Sequence, residues 1–438
     1  MPDTPKEERR EEPRPEREYE RTVGTRLRSF GRELGPGLIT GAADDDPSGI
    51  ATYSQAGAAF GYGLLWTALI TLPMMTAVQL MCARIGLVSQ QGLAAVVREH
   101  YSRFLLWIVC ALLLFGNIVN IAADLGGMGA AAALATGVKS PLWVPLFTAG
   151  IIAFLVFSSY RFMTKVLKWL TLVLFAYVIT AFLADPDWSA VLDGTFHPHF
   201  DISREYLLTF LAILGTTISP YLFFWQAAQN VEQHNEVAAP GRPRRALERE
   251  LRTAGRDVGT GMLISNLIMY FIILTAGSTL HPAGITTVNS AADAAAALEP
   301  LAGQGASLIF ALGIMGTGML GVPVLAGSAA YAVAEAGRWR RGMNRRPTQA
   351  HHFYIVIVLA MLIGMGLNFA GINPMRMLFG AAVVNGVLAP PLIVVILLIC
   401  NNRKVMGEKR NGWLINVGGI AAATLMGAGA ITLLISWL

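Results

Sequence analysis

At 438 residues, 54% hydrophobic and only 14% charged, the chain is too apolar and too sparsely charged for an ordinary water-soluble domain. Its net charge of +5 does not point to nucleic acid, because the basic residues are spread over successive segments between apolar runs. No P-loop, Ser/His/Asp arrangement or metal-hydrolase spacing is present, so neither an enzyme nor an ATP-driven pump finds a motif.

Residues 1–33 are dense in Glu, Arg and Pro and read as a disordered cytoplasmic tail, without the apolar stretch a signal peptide needs. Eleven apolar runs follow, near 37–60, 63–86, 104–135, 141–160, 165–184, 207–228, 258–280, 305–336, 352–369, 375–400 and 413–436. Each is long enough to cross about 30 Å of hydrocarbon as a helix. The third and eighth exceed that thickness and are expected to tilt or protrude. If the N-terminus is cytoplasmic, every Lys and Arg except Lys139, Arg204 and Arg376 falls on the inner side, giving an N-in, C-out topology.

The first run contains Gly41-Ala42-Ala43-Asp44-Asp45-Asp46-Pro47-Ser48-Gly49. Each charge inside a membrane costs about 2.5–3.5 kcal/mol on insertion scales, so three consecutive acids need a reason. Pro47 removes a backbone donor and Gly49 is free to leave helical geometry, which together read as an unwound point between two half-helices. The third run carries Asp124, which either lines the permeation path or is a structural acid capped by a neighbouring helix. The outer stretch 185–206, with Pro186 and Pro198, reads as irregular.

In the sixth run, Leu214-Gly215-Thr216-Thr217-Ile218-Ser219-Pro220-Tyr221 places a proline at mid-membrane. Alone it is a kink or a break. Its position favours a break, since runs one and six each open a five-helix set, and paired interruptions mark midplane sites in transporters built from inverted repeats. The segment 231–256 reads as a long charged cytoplasmic loop with a short helix around 245–252, and 281–304 as a polar outer loop with an Ala-rich, helical middle. In the tenth run, Asn385 is a weaker candidate that could simply bridge helices.

The expected architecture is an all-α integral membrane protein, with one transporter domain over 34–436. Repeat one is about 36–184, repeat two about 207–400, and an extra helix about 413–436. Cys82, Cys110 and Cys400 lie in apolar runs and read as small buried hydrophobes. All seven histidines fall in loops or helix ends, and His197-Pro198-His199 reads as an incidental exposed pair. The donors left at the two breaks are the Asp46 carboxylate, the Thr216 and Ser219 hydroxyls and freed carbonyls. These hard oxygens suit Mg²⁺, Ca²⁺ or Mn²⁺. The expected partners are therefore a divalent cation and the lipid bilayer, with no resident cofactor and no nucleic acid.

Several of these segments resemble the NRAMP divalent-metal transporter family. They are Gly35-Pro36-Gly37, Tyr62 to Trp66, Arg98 to Tyr101, Ile121-Ala122-Ala123-Asp124, and above all the two breaks. The family's Asp-Pro-Gly-Asn appears as Asp46-Pro47-Ser48-Gly49, and its Ala-x-x-Met-Pro-His as Thr216 to Tyr221. The resemblance implies a LeuT-type fold with inverted repeats (helices 1–5 and 6–10) and broken helices 1 and 6. It also implies that Asp46 binds the ion, directly or through water; Asp45 is a further candidate ligand, and which of the neighbouring acids lines the path is left open by the sequence. Gly49 then stands for the family's Asn ligand, Ser219 for its Met, Thr216 for its carbonyl donor, and Tyr221 for a sixth-helix His.

Gly127 replaces a third-helix Glu and the ninth helix lacks a paired Arg, so only Asp124 remains of the family's proton relay. These departures resemble the prokaryotic NRAMP-related magnesium transporter subgroup. They imply plasma-membrane import of largely hydrated Mg²⁺, and also Mn²⁺, by alternating access without proton coupling. The alternatives are proton-coupled Mn²⁺ or Fe²⁺ import using Asp124 with Asp44 or Asp45, and, ranked last, an amino-acid/cation symporter.

Overall fold

Hydrocarbon offers no hydrogen bonds, so apolar runs that cross it satisfy their backbone groups internally as helices. The computed structural model describes residues 35–157, 171–237 and 244–435, and the expected tail at 1–33 lies outside them. Nine of the eleven predicted spans form single helices, or helix pairs, long and apolar enough to cross. The first is missing from that set because its acids divide it. The fifth lies partly outside the described residues, and its described part is Thr171–Leu183.

The first span is two helices, α1 (Pro36–Asp44) and α2 (Pro47–Phe60). It is followed by α3 (Thr67–Ser89), the short α4 (Leu93–His100), α5 (Arg103–Thr136) and α6 (Ser140–Phe157). After the fifth span ends in α7 (Phe175–Leu183), the chain bends by 119° into α8 (Trp188–Phe196). The sixth span is again two helices, α9 (Arg204–Thr217) and α10 (Pro220–Val237). Then come α11 (Arg244–Thr279), the short pieces α12 (Ala291–Ala296) and α13 (Glu299–Ala302), α14 (Ala306–Ala336), α15 (His351–Leu367), α16 (Pro374–Asn401), α17 (Arg403–Met406) and α18 (Trp413–Ile435). The interruptions fall in spans one and six, at corresponding places in the two five-span sets.

Two loop expectations are corrected. The charged segment 231–256 is mostly helix. Here α10 runs on to Val237 and α11 starts at Arg244, because charged but strongly helix-forming residues extend both helices beyond their apolar stretches. A contact of 2.7 Å between His234 Nδ1 and a Glu250 carboxylate oxygen ties the extensions together. The outer stretch 185–206 is not wholly irregular. Asp187 caps α8 by accepting from the Ser189 and Ala190 amides. The expected outer helix appears as α12, opened by a capping box of Ser290 and Asp293.

Large apolar side chains such as Phe104, Trp107 and Phe115 of α5, and Val417 and Ile420 of α18, face outward as lipid-contacting residues. Inside, the half-helices sit at a centre bounded by α5, α11, α14 and α16. Backbone closeness there depends on small residues. A Cβ at Gly37 would lie 2.5 Å from the Val258 amide, and one at Gly41 would overlap Gly261, so α1 lies backbone-to-backbone on α11.

The end of α14 is joined to α4 by a buried carboxylate. Glu335, in the last turn of α14 and 1% exposed, accepts from the Ala95 amide of α4 at 3.2 Å and pairs with Arg341 at 3.2 Å. Its carbonyl accepts from Arg98. Glu335 thus serves as the N-terminal cap that α4 lacks from its own sequence, since Gly92 holds the cap position. Glu335→Ala should cost about 3 kcal/mol through the uncompensated Arg341 and the orphaned amide. Glu335→Gln, which keeps the acceptor, should cost less; thermal midpoints in detergent measure the difference.

Candidate metal site

The first break is built from a helix start. Pro47 occupies the first position of α2, where its missing amide does no harm, and Asp46 is the cap residue with extended backbone (φ −71°, ψ 172°). Asp46 Oδ1 accepts from the Gly49 amide at 2.8 Å and from the Ser48 hydroxyl at 2.7 Å. The positive end of α2 therefore faces the carboxylate.

The second break has a different cause. α9 stops at Thr217, with Ile218 off helical geometry (φ −121°, ψ 59°), and Pro220 has no amide to give the Thr216 carbonyl. The Ser219 hydroxyl substitutes for it, donating to Thr216 O at 2.8 Å or Gly215 O at 2.9 Å. Its lone pairs remain as acceptors. Tyr221, at the start of α10, joins the two breaks: its hydroxyl donates to Ala43 O at 2.7 Å and lies 3.3 Å from Asp46 Oδ2.

Gly49 and Thr216 face each other, since a Cβ at Gly49 would lie 3.2 Å from Thr216 Oγ1. Asp46 and Asp124 converge on α14, where a Cβ at Gly321 would be 3.1 Å from Asp46 Cβ and 3.7 Å from Asp124 Oδ2. Asp124 is fully buried and neither of its carboxylate oxygens has a hydrogen-bond partner. The other two acids turn towards α11: Ser265 donates to Asp44 Oδ2 at 2.7 Å and lies 3.3 Å from Asp45 Oδ1. Asn385 accepts from Asn120 at 2.9 Å and bridges α16 to α5, which is the helix-joining role the sequence left open.

Asp46, Gly49, Thr216, Ser219 and Tyr221 thus gather at the paired breaks, with Asp124 facing them across Gly321. Asp44, Asp45 and Asn385 make contacts of their own. Two neighbours escaped the sequence reading. The Tyr53 ring lies 3.3 Å from the Cβ position of Gly49, and Met128 of α5 packs at Gly318, whose own Cβ would be 3.2 Å from Pro47. A tyrosine and a methionine in apolar helices carry no signal that separates them from core packing.

Among the described residues, no three His, Cys, Asp or Glu side chains are placed to hold a metal together. The donors are one carboxylate, hydroxyls and carbonyls. Such a set offers charge and hydrogen bonds, which suits an ion that keeps part of its water. The histidines make contacts of their own: His197 bonds exposed Asp193, His281 bonds Ala58 O, and His351 and His352 lie ring to ring at the start of α15. The three cysteines are buried and free.

The profile of a family described as natural resistance-associated macrophage protein-like matches residues 37–436. The chain is 28% identical over 417 residues to the divalent metal cation transporter MntH of Aeromonas hydrophila, covering 91% of this chain and 95% of that protein. In three dimensions it is similar to the Eremococcus coleocola manganese transporter solved with an aromatic bis-isothiourea substituted compound. That likeness has a TM-score of 0.73 at 18% identity, over 92% of this chain and 85% of that one. A likeness with a TM-score of 0.55 at 14% identity extends to Mhp1, a nucleobase-cation-symport-1 family transporter, over 92% of this chain and 93% of that one. Together these place the helices in the LeuT-type arrangement.

Proposed function

The chain belongs to the Nramp family and is a membrane transporter of divalent metal cations rather than an enzyme, and from that premise we propose that its principal ion is Mg²⁺. Mn²⁺ is also accepted, and import across the plasma membrane runs by alternating access without proton coupling. The observation that carries this reading is the donor set at the paired breaks. Asp46 supplies the charge; Thr216, Ser219 and freed carbonyls supply oxygen; neither broken span presents imidazole or sulfur there. Mg²⁺ dehydrates reluctantly, and hydroxyls that bond to its waters serve it better than a soft ligand would.

In this reading Asp46 attracts the ion and Tyr221 holds the two half-helix pairs in register. The domain runs over 34–436 with N-in, C-out orientation. The membrane potential suffices as driving force, because two charges crossing 100 mV gain about 4.6 kcal/mol.

A second reading, proton-coupled Mn²⁺ import, has two observations in its favour. Asp124 carries two unpartnered oxygens, and Met128 brings a thioether against the Pro47 region. The relatives named for divalent metal or manganese transport fit it as well. Proteoliposomes with an internal Mg²⁺ indicator and a pH dye, under an inside-negative potential, decide between the two. The expected result is Mg²⁺ entry without acidification. Mn²⁺ entry with acidification, while Mg²⁺ stays out, would replace the first reading by the second.

A further inference from the structure

The molecule leaves two buried hydroxyls without partners at one place. Tyr53, on α2 one turn beyond Gly49, is fully buried, and its hydroxyl has no hydrogen bond. Thr216 Oγ1, on α9, is 1% exposed at the residue level and equally unpartnered. The two flank the same bare glycine: a Cβ at Gly49 would sit 3.2 Å from Thr216 Oγ1 and 3.3 Å from Tyr53 Cε2. The Tyr53 hydroxyl also faces the Thr216 hydroxyl closely enough to interact with it, and it lies in electrostatic reach of Asp44, Asp45 and Asp46.

Even where one of the two donates to the other, the pair keeps one proton and several lone pairs unused, and burying such groups unsatisfied is costly, so they call for a third party. A side chain does not fill the role, since position 49 has none. A Cβ at position 49 would crowd both side chains, and the carboxylate and two hydroxyls around it are the polar partners an ordered water needs.

We infer that Tyr53 and Thr216 together hold a water of the transported ion's shell over Gly49, making Tyr53 a specificity-determining residue of the transport site. This rests on the hydrated-ion reading of the site and adds a residue that reading did not contain. A water bound to a cation donates outward, so Tyr53 contributes an acceptor oxygen and a rigid position, fixed by its ring beside Gly49. An ion that keeps its water is welcomed by both hydroxyls. An ion that sheds it leaves both of them orphaned, so the pair favours Mg²⁺ over ions that dehydrate more readily.

The test is uptake kinetics in proteoliposomes, with Mg²⁺ and Mn²⁺ each supplied alone, for wild type, Tyr53→Phe, Thr216→Val and the double variant. Phe keeps the ring and Val keeps the shape, and thermal midpoints in detergent check that both variants fold. Each single variant should raise KM for Mg²⁺ about fivefold, the worth of one hydrogen bond, with Vmax little changed. KM for Mn²⁺ should rise less. Because one water is shared, the double variant should be less than the product of the singles. Strict multiplicativity, or a Mg²⁺ KM within about twofold of wild type in Tyr53→Phe, overturns the inference. The wild type answers a separate question: no Mg²⁺ uptake there sinks the magnesium reading itself, whatever Tyr53 does.

Discussion

Replacing Asp46 with Asn should lower Mg²⁺ uptake by about a thousandfold while leaving the fold intact. The two halves of that outcome come from two jobs done by one side chain. As a cap, Asp46 accepts from the Gly49 amide and the Ser48 hydroxyl, and Asn caps a helix as well as Asp does. As a charge, it has no substitute. At 4 Å and an effective dielectric constant of about 20, a unit charge pair gains roughly 4 kcal/mol, and a divalent ion twice that. Even if an intervening water halves the gain, about 4 kcal/mol remains, which is three powers of ten in occupancy. Asp46→Ala should lose the same transport and in addition about 1 kcal/mol of stability with the cap. Uptake in proteoliposomes alongside thermal midpoints measures both. An Asn variant that transports at the wild-type rate would remove Asp46 from the ion's path.

The first break was readable because its signals are expensive. Three acids in an apolar run cannot face lipid, and Pro47 with Gly49 says where the helix yields. The second break was only half readable. Pro220 alone does not distinguish kink from interruption, and the deciding feature is the Ser219 hydroxyl taking over the Thr216 carbonyl. A lone serine beside a proline does not announce that exchange. How the three acids divide was hidden too, since only the fold brings Ser265 to Asp44 and Asp45.

Charge misled the reading where it implied a loop. In 231–256 the charged residues are also strong helix formers, and a helix leaving the membrane can carry them in water. Glu335 was not singled out in the sequence at all: it stands at the end of an apolar run, yet it is buried as the cap of α4. Contacts of that kind join residues 240 positions apart, and one sequence contains no trace of them. Tyr53 belongs with these cases, because an orphaned hydroxyl exists only once its neighbours are in place.

Gly215→Ala should damage both stability and transport. On α9, a Cβ at this position would overlap the Ala382 carbonyl and the Gly386 amide of α16, and lie 2.8 Å from Gly386 Cα. The partner surface is as tight, since a Cβ at Gly386 would lie 2.6 Å from the Leu211 carbonyl. Backbone meets backbone on both sides, so no side chain can rotate away and the helices themselves must part. Overpacking of this kind costs about 1–3 kcal/mol. The damage does not stay local, because Gly215 O lies 2.9 Å from the Ser219 hydroxyl and the next residue is Thr216. Pushing α9 off α16 therefore shifts two of the oxygens at the break relative to Asp46. The expected result is a lower thermal midpoint together with a raised KM for the ion. Gly380→Ala on α16 is the matched control, with nothing within 4 Å of its Cβ position. It adds a better helix former at no steric cost. If the two alanine variants melt and transport alike, the close approach of α9 and α16 does not set the geometry of the second break.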